Sequence, residues 1–169
     1  MKLASVEAII RALNEAGVRF IVAGGLAVVA HGYGRQTHDL DLVIRLDGPT
    51  VRAAFRALET LGYRPRVSVT AAGFADPQQR ARWIEEKGMT VLNFHSDEHR
   101  ETPVDVFVTE PFDFDGEHRL ALVEELAPGV SVRILRLATL LRIKREAGRP
   151  QDLADIAELS LLNPGAHNE

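Results

Sequence analysis

Cysteine is absent from this chain, which excludes a disulfide framework, thiolate zinc sites, iron–sulfur clusters and cysteine nucleophiles. That fits a cytoplasmic location, which is the expectation here. No uninterrupted apolar run is long enough for a membrane span. The segment from Met1 to Ala16 mixes Lys2, Glu7, Arg11 and Glu15 into an apolar periodicity, which is the wrong pattern for a signal peptide. An excess of positive charge is missing too. The formal charge of −4 argues against a protein that coats nucleic acid through bulk electrostatics. One local basic stretch, Arg64, Arg66, Arg80, Arg82 and Lys87, reads as a solvated surface. Internal repeats, low-complexity tracts and linkers are likewise absent.

What is present is an ordinary globular composition, 46% hydrophobic and 26% charged over 169 residues. A chain of this size buries roughly 70% of its unfolded surface, so it needs no metal or disulfide to build a core. The expectation is one compact domain, with residues 1–135 as its core and residues 136–169 as a C-terminal helical segment packed on it. Val6, Ile9, Ile10 and Leu13 have helical spacing, and Gly17 reads as the stop. Phe20 to Ala23 reads as a strand, Leu26 to His31 as a short helix, and Leu40 to Leu46 as the next strand. Val51 to Leu61 predicts a second amphipathic helix. Strands are expected at Arg66 to Thr70, Thr90 to His95 and Val104 to Val108, the last two joined as a hairpin. Leu120 to Leu126 reads as a helix and Ser131 to Leu135 as a short strand. Leu137 to Ala147 and Pro150 to Leu162 complete the chain as helices. This order predicts an α/β or α+β fold, a mixed central sheet flanked by helices.

The chemistry is concentrated in carboxylates. In His38-Asp39-Leu40-Asp41-Leu42-Val43-Ile44, residues two apart share a strand face. Asp39 and Asp41 therefore project together, while Leu40, Leu42 and Ile44 face the opposite way. Like charges that close raise at least one pKa unless a cation compensates. Mg²⁺ suits such a site, because it takes a few carboxylate oxygens plus water and substrate phosphates. Val104-Asp105-Val106-Phe107-Val108 repeats the pattern with a third acid. Asp105 in so apolar a strand is costly unless paired, hydrogen-bonded or on a metal. Alone it could pair with Arg35 or Arg45. If its strand lies beside that of Asp39, three carboxylates converge, an arrangement suited to two cations roughly 3.5–4 Å apart.

Gly24-Gly25 follows a buried strand and opens a helix. Residues without Cβ let the backbone approach a ligand, and free N–H groups at a helix start favour phosphate. Arg35 is placed either to bind a phosphate or to hold Asp39, and Thr37 to satisfy backbone at the strand entrance. Leu137, Leu140, Leu141 and Lys144 lie on one helical stripe, so Lys144 points inward. Its ammonium either snorkels to the surface or reaches a triphosphate. Asp152 follows Pro150 in the first turn of its helix, where the helix dipole favours an acid. His31 and His38 lack a spacing partner for a zinc site, and His95 with His99 falls in an expected loop, so neither pair reads as a metal site.

The run Val22-Ala23-Gly24-Gly25, Ala30-His31-Gly32 and Arg35-Gln36-Thr37-His38-Asp39-Leu40-Asp41-Leu42 resembles the signature of the polymerase-β-like nucleotidyltransferase superfamily. The Arg-x-Thr-x-Asp-x-Asp variant, with Lys144, Arg149, Asp152 and Asp155 behind it, is similar to small stand-alone bacterial members, including toxins of type IV toxin–antitoxin systems. The resemblance implies a nucleotidyltransferase fold with residues 1–135 as the catalytic core. It also implies two Mg²⁺ ions, with Mn²⁺ as a substitute, on Asp39, Asp41 and Asp105. Gly24, Gly25, Arg35, Thr37, Lys144 and Asp152 would serve the nucleotide, the two glycines through their backbone. The expected reaction moves a nucleoside monophosphate from an NTP to a hydroxyl of RNA, protein or a small molecule, releasing pyrophosphate. An antitoxin partner and a homo-oligomer are further implications. The alternative is a non-catalytic nucleotide-binding module acting with a partner protein.

Overall fold

A computed structural model of the protein describes residues 1–165; the last four of the C-terminal segment 136–169 lie outside the described residues. Helix α1 (Leu3–Glu15) leads into β1 (Phe20–Val22), α2 (Gly24–Ala30), β2 (Leu40–Ile44) and α3 (Gly48–Thr60). The middle of the chain forms β3 (Arg64–Pro65), α4 (Ala71–Ala75), α5 (Pro77–Lys87), β4 (Val91–His95) and β5 (Val104–Phe107). It closes with α6 (Phe114–Leu120), β6 (Leu122–Ala127), β7 (Val130–Ile134), α7 (Leu137–Ala147) and α8 (Pro150–Leu162). The described residues thus form a mixed α/β protein built on a seven-stranded sheet of order β3-β4-β5-β2-β1-β7-β6.

Two parallel and four antiparallel pairings hold that order. Strand β2 runs parallel to β5 and antiparallel to β1, while β1 runs parallel to β7. Alternation then sorts the side chains. Leu42, Val106 and Leu92 align across β2, β5 and β4, as do Leu40, Val104 and Phe94, and all six are buried. Phe55 of α3 meets Phe94 edge-on, with ring centroids 5.1 Å apart, so α3 covers this apolar face. The opposite face carries the row Asp41, Asp105 and Asn93. Leu140 and Leu141 of α7 and Leu159 of α8 belong to the same buried cluster as the strands.

Three sequence expectations need correction. The segment expected as a helix at Leu120–Leu126 is strand β6, paired with β7, and the helix α6 lies just before it. Leucine and glutamate favour a helix locally, but pairing on the sheet edge overrides so weak a preference. Pro128-Gly129, with Gly129 at φ 73°, makes the hairpin turn that signalled this. The strand expected at Arg66–Thr70 is confined to Arg64–Pro65, an edge position that tolerates a proline. Thr70 and Asp76 instead cap α4 and α5, accepting from the N–H groups of Gly73 and Gln78. Arg80 leaves the basic surface stretch altogether: it is buried and donates to the Phe74 carbonyl.

Among the described residues no helix is long and apolar enough to cross a membrane.

Candidate active site

Strand β1 delivers the chain to Gly24 with its hydrogen bonds shared between β2 and β7; the N–H of Ala23 donates to the Asp41 carbonyl at 2.9 Å. Gly24 sits at φ 55°, a left-handed conformation that costs other residues about 1–2 kcal/mol. A Cβ built there would collide with the Asp41 carboxylate, and one on Gly25 would collide with the Thr37 hydroxyl. The glycines therefore exist to let acid and backbone touch. The N–H of Gly25 donates to the Asp41 carboxylate, so this donor is not free for a phosphate as the sequence suggested. Helix α2 is only seven residues long, so close backbone approach matters more here than its dipole. Gly24→Ala is expected to lower stability by about 1–2 kcal/mol and to displace Asp41. Urea denaturation measures the first effect, and a changed titration of the Asp41 carboxyl followed by NMR measures the second.

Asp41 and Asp105 are directly paired on parallel neighbours β2 and β5, one strand spacing of about 4.8 Å apart. Both line a cavity of about 450 Å³ with Asp39, Gly24, Gly25 and Lys144. Arg35, Thr37 and Asp152 line it too, so the residues assigned from sequence to metal and nucleotide meet at this one place. Burial pushes the Asp41 carboxyl up, the Asp105 and Asp39 charges add to this, and the Gly25 N–H and Lys144 oppose it; the result is about 6. Burial also raises Asp105, against a hydrogen bond from Asn93 and the charge of Arg66. Arg35 and Arg45 do not pair with Asp105 as the sequence allowed: Arg45 binds Glu110 at 2.8 Å.

Arg35 does not hold Asp39 either. It grips Asp155 with two parallel bonds, Nε to Oδ1 at 2.7 Å and Nη2 to Oδ2 at 2.9 Å. Lys144 points inward and is 5% exposed. Its ammonium does not snorkel; it lies 2.7 Å from Asp155 and 3.1 Å from Asp152. Arg149 adds a 2.6 Å bond to Asp152. Burial pushes Asp152 and Asp155 up, but the hydrogen bonds from these cations outweigh it and hold both carboxyls below the usual range. Sequence reasoning gave Asp155 no role of its own. The signal was available, since Asp152, Asp155 and Leu159 share one helical stripe and all are buried. Asn93 was missed as well, and only the strand register could have found it.

His31 bonds the Leu135 carbonyl at 2.7 Å and His99 the Ser5 hydroxyl at 2.9 Å. Thr37 makes a long 3.4 Å bond to the Asp39 carbonyl. Among the described residues no three acidic or imidazole side chains form a ready-made metal cage. The acids are instead turned to protein donors, Asp41 to Gly25 and Asp105 to Asn93. The donor set still fits Mg²⁺, which binds through one or two carboxylates plus water and phosphate rather than through an all-protein shell. No family profile matches this chain, and no curated protein matches it either.

Proposed function

We propose that this protein is a nucleotidyltransferase that moves a nucleoside monophosphate from an NTP to a hydroxyl acceptor. The observation that carries the reading is the pairing of Asp41 with Asp105, beside Asp39, in a cavity framed by a glycine turn. Acid repulsion in a half-buried site is costly and calls for a cation. Asp39, Asp41 and Asp105 would hold two Mg²⁺ ions, or Mn²⁺ in their place, which supply neutralisation of the charge on attacking and leaving oxygens.

The chain's own residues do the rest. Gly24 and Gly25 let the triphosphate approach the backbone, and Arg35 and Thr37 shape the loop beside them. Lys144 contributes positive potential from behind Asp152. The acceptor oxygen bonds to the α-phosphorus, and the bond to the departing pyrophosphate breaks with its electron pair on pyrophosphate. The hydroxyl proton passes to Asp105, which acts as the base. RNA, a protein side chain and a small molecule remain the acceptor classes. A toxin-like role with an antitoxin partner follows from the resemblance alone.

A second reading is a nucleotide-binding module that works with a partner protein. It draws on one observation: the acids are turned to protein donors, Asp41 to Gly25 and Asp105 to Asn93, which leaves fewer carboxylate oxygens for the two cations that transfer requires. One experiment separates the two readings. NTP with Mg²⁺ should raise the melting temperature of the wild type but not of Asp39→Asn or Asp105→Asn, and pyrophosphate should be released. A shift without pyrophosphate release favours the binding module, and no shift at all rejects both.

A further inference from the structure

We propose that the acceptor docks on the β4 side of Asp105, with Asn93 and His95 holding it and Arg66 binding an anionic group that it carries next to its reacting hydroxyl. This rests on the transferase reading above.

The sheet register builds the surface. Asp105 pairs with Asn93, and the N–H of Arg66 donates to the Asn93 carbonyl at 2.9 Å. Asp41, Asp105, Asn93 and Arg66 therefore follow one another across the sheet. Asn93 and His95 are two apart on β4 and share the face opposite to buried Leu92 and Phe94. The glycine turn lies on the far side of Asp105 from them. Asp105 borders the cavity there, whereas Arg66, Asn93 and His95 do not. A nucleotide bound at the glycines leaves this second side for the other reactant.

Two observations mark this side as a binding surface. Among the described residues, the buried side-chain polar atoms without a hydrogen-bond partner are Asn93 Oδ1 and His95 Nδ1. Buried polar groups are nearly always satisfied, so two neighbours left open on one strand face call for a ligand. The second observation is charge. Arg66 is exposed and makes no ion pair among the described residues, and its backbone bond to Asn93 puts it next in the row that starts from Asp105. A lone cation beside the base selects an acceptor of opposite sign and disfavours a polycationic one.

Asn93 also acts as a positioning residue. Its Nδ2 donates to Asp105 Oδ1 at 2.6 Å, which fixes the carboxylate that takes the hydroxyl proton. The incoming oxygen then forms its bond to the α-phosphorus as pyrophosphate leaves.

Ribose 5-phosphate, with hydroxyls beside one phosphate, and ribose as its neutral match are suitable probes. They are titrated into the full chain with Mg²⁺ and a non-hydrolysable NTP while the Asn93 amide and Arg66 Nε signals are followed by ¹⁵N NMR. Ribose 5-phosphate is expected to shift both signals and to bind about tenfold more tightly than ribose. Arg66→Ala should erase that preference. Asn93→Leu should cut pyrophosphate release with this acceptor about tenfold while nucleotide affinity stays within about twofold. Silence of both signals, equal affinity for ribose, or nucleotide binding lost in step with transfer in Asn93→Leu would overturn the proposal and leave nucleotide binding intact in the wild type. Failure of the nucleotide itself to bind wild-type protein would remove the transferase reading and this proposal with it.

Discussion

Asp155→Ala should cost about 3–5 kcal/mol of folding stability, the usual penalty for breaking a buried ion pair from one side. In a protein of this size that is a drop in melting temperature on the order of 10 °C. Asp155 is 0% exposed and accepts from Arg35, Lys144 and Gln151. Removing it leaves the buried Lys144 ammonium with Asp152 alone and frees Arg35 from α8. Asp155→Asn keeps the shape and part of the hydrogen bonding, so its cost should be clearly smaller. The pH dependence has a defined sign. Burial raises the Asp155 carboxyl, but the three donors outweigh it and leave it below its ordinary value of 3.8. Such a group stabilises the fold above that ordinary value and loses its contribution as pH falls through the lower folded one. Wild-type stability should therefore fall below pH 4 more steeply than that of Asp155→Asn. Urea denaturation across pH 2–7 measures both effects, and a loss under about 1 kcal/mol in Asp155→Ala would show the pair to be idle.

Asp41→Asn is expected to do the opposite to stability and, under the proposed transferase reading, to abolish turnover. A carboxyl raised from 3.8 to about 6 costs the ionised folded state about 3 kcal/mol, less where salt screens its neighbours. With a raised folded pKa, the favourable contribution is complete below pH 3.8 and is lost as pH climbs through about 6. The asparagine variant should thus match the wild type near pH 3.5 and exceed it by up to about 3 kcal/mol at pH 7.5. Pyrophosphate release should fall at least a thousandfold, about 4 kcal/mol of barrier. A more stable protein that no longer turns over is the pattern of a site held together against its own repulsion. Equal stability of the two proteins at pH 7.5 would mean the carboxylate is relieved by something other than a cation.

How far the sequence carried depends on how local each cause was. The apolar alternation around Asp41 and Asp105 places these two acids on strand faces, and this much is legible because strand period is fixed; Asp39 lies just ahead of β2 rather than in it. That β5 lies beside β2, with β4 beyond it, is a matter of sheet order that no local pattern encodes. Asn93 therefore stayed invisible until the register was known. Lys144 was readable as inward-facing from its stripe, but its partners come from a second helix. Arg35 was read as binding a phosphate or holding Asp39, the nearest acid along the chain, whereas tertiary packing gives it Asp155. The segment Leu122–Ala127 misled for the converse reason: its composition favours a helix, and only the neighbouring strand makes it extended.

The bidentate link between Arg35 and Asp155 joins positions 120 residues apart. During synthesis the strands bearing Asp41 and Asp105 can meet well before α8 has been made, so the acids assemble first and the cradle around them is tethered last. Contacts that close so long a loop are also expected to form late in a refolding chain. Completion of the cradle should accordingly lag behind recovery of the sheet, and the newborn protein passes through an interval in which the acids are in place but still unenclosed.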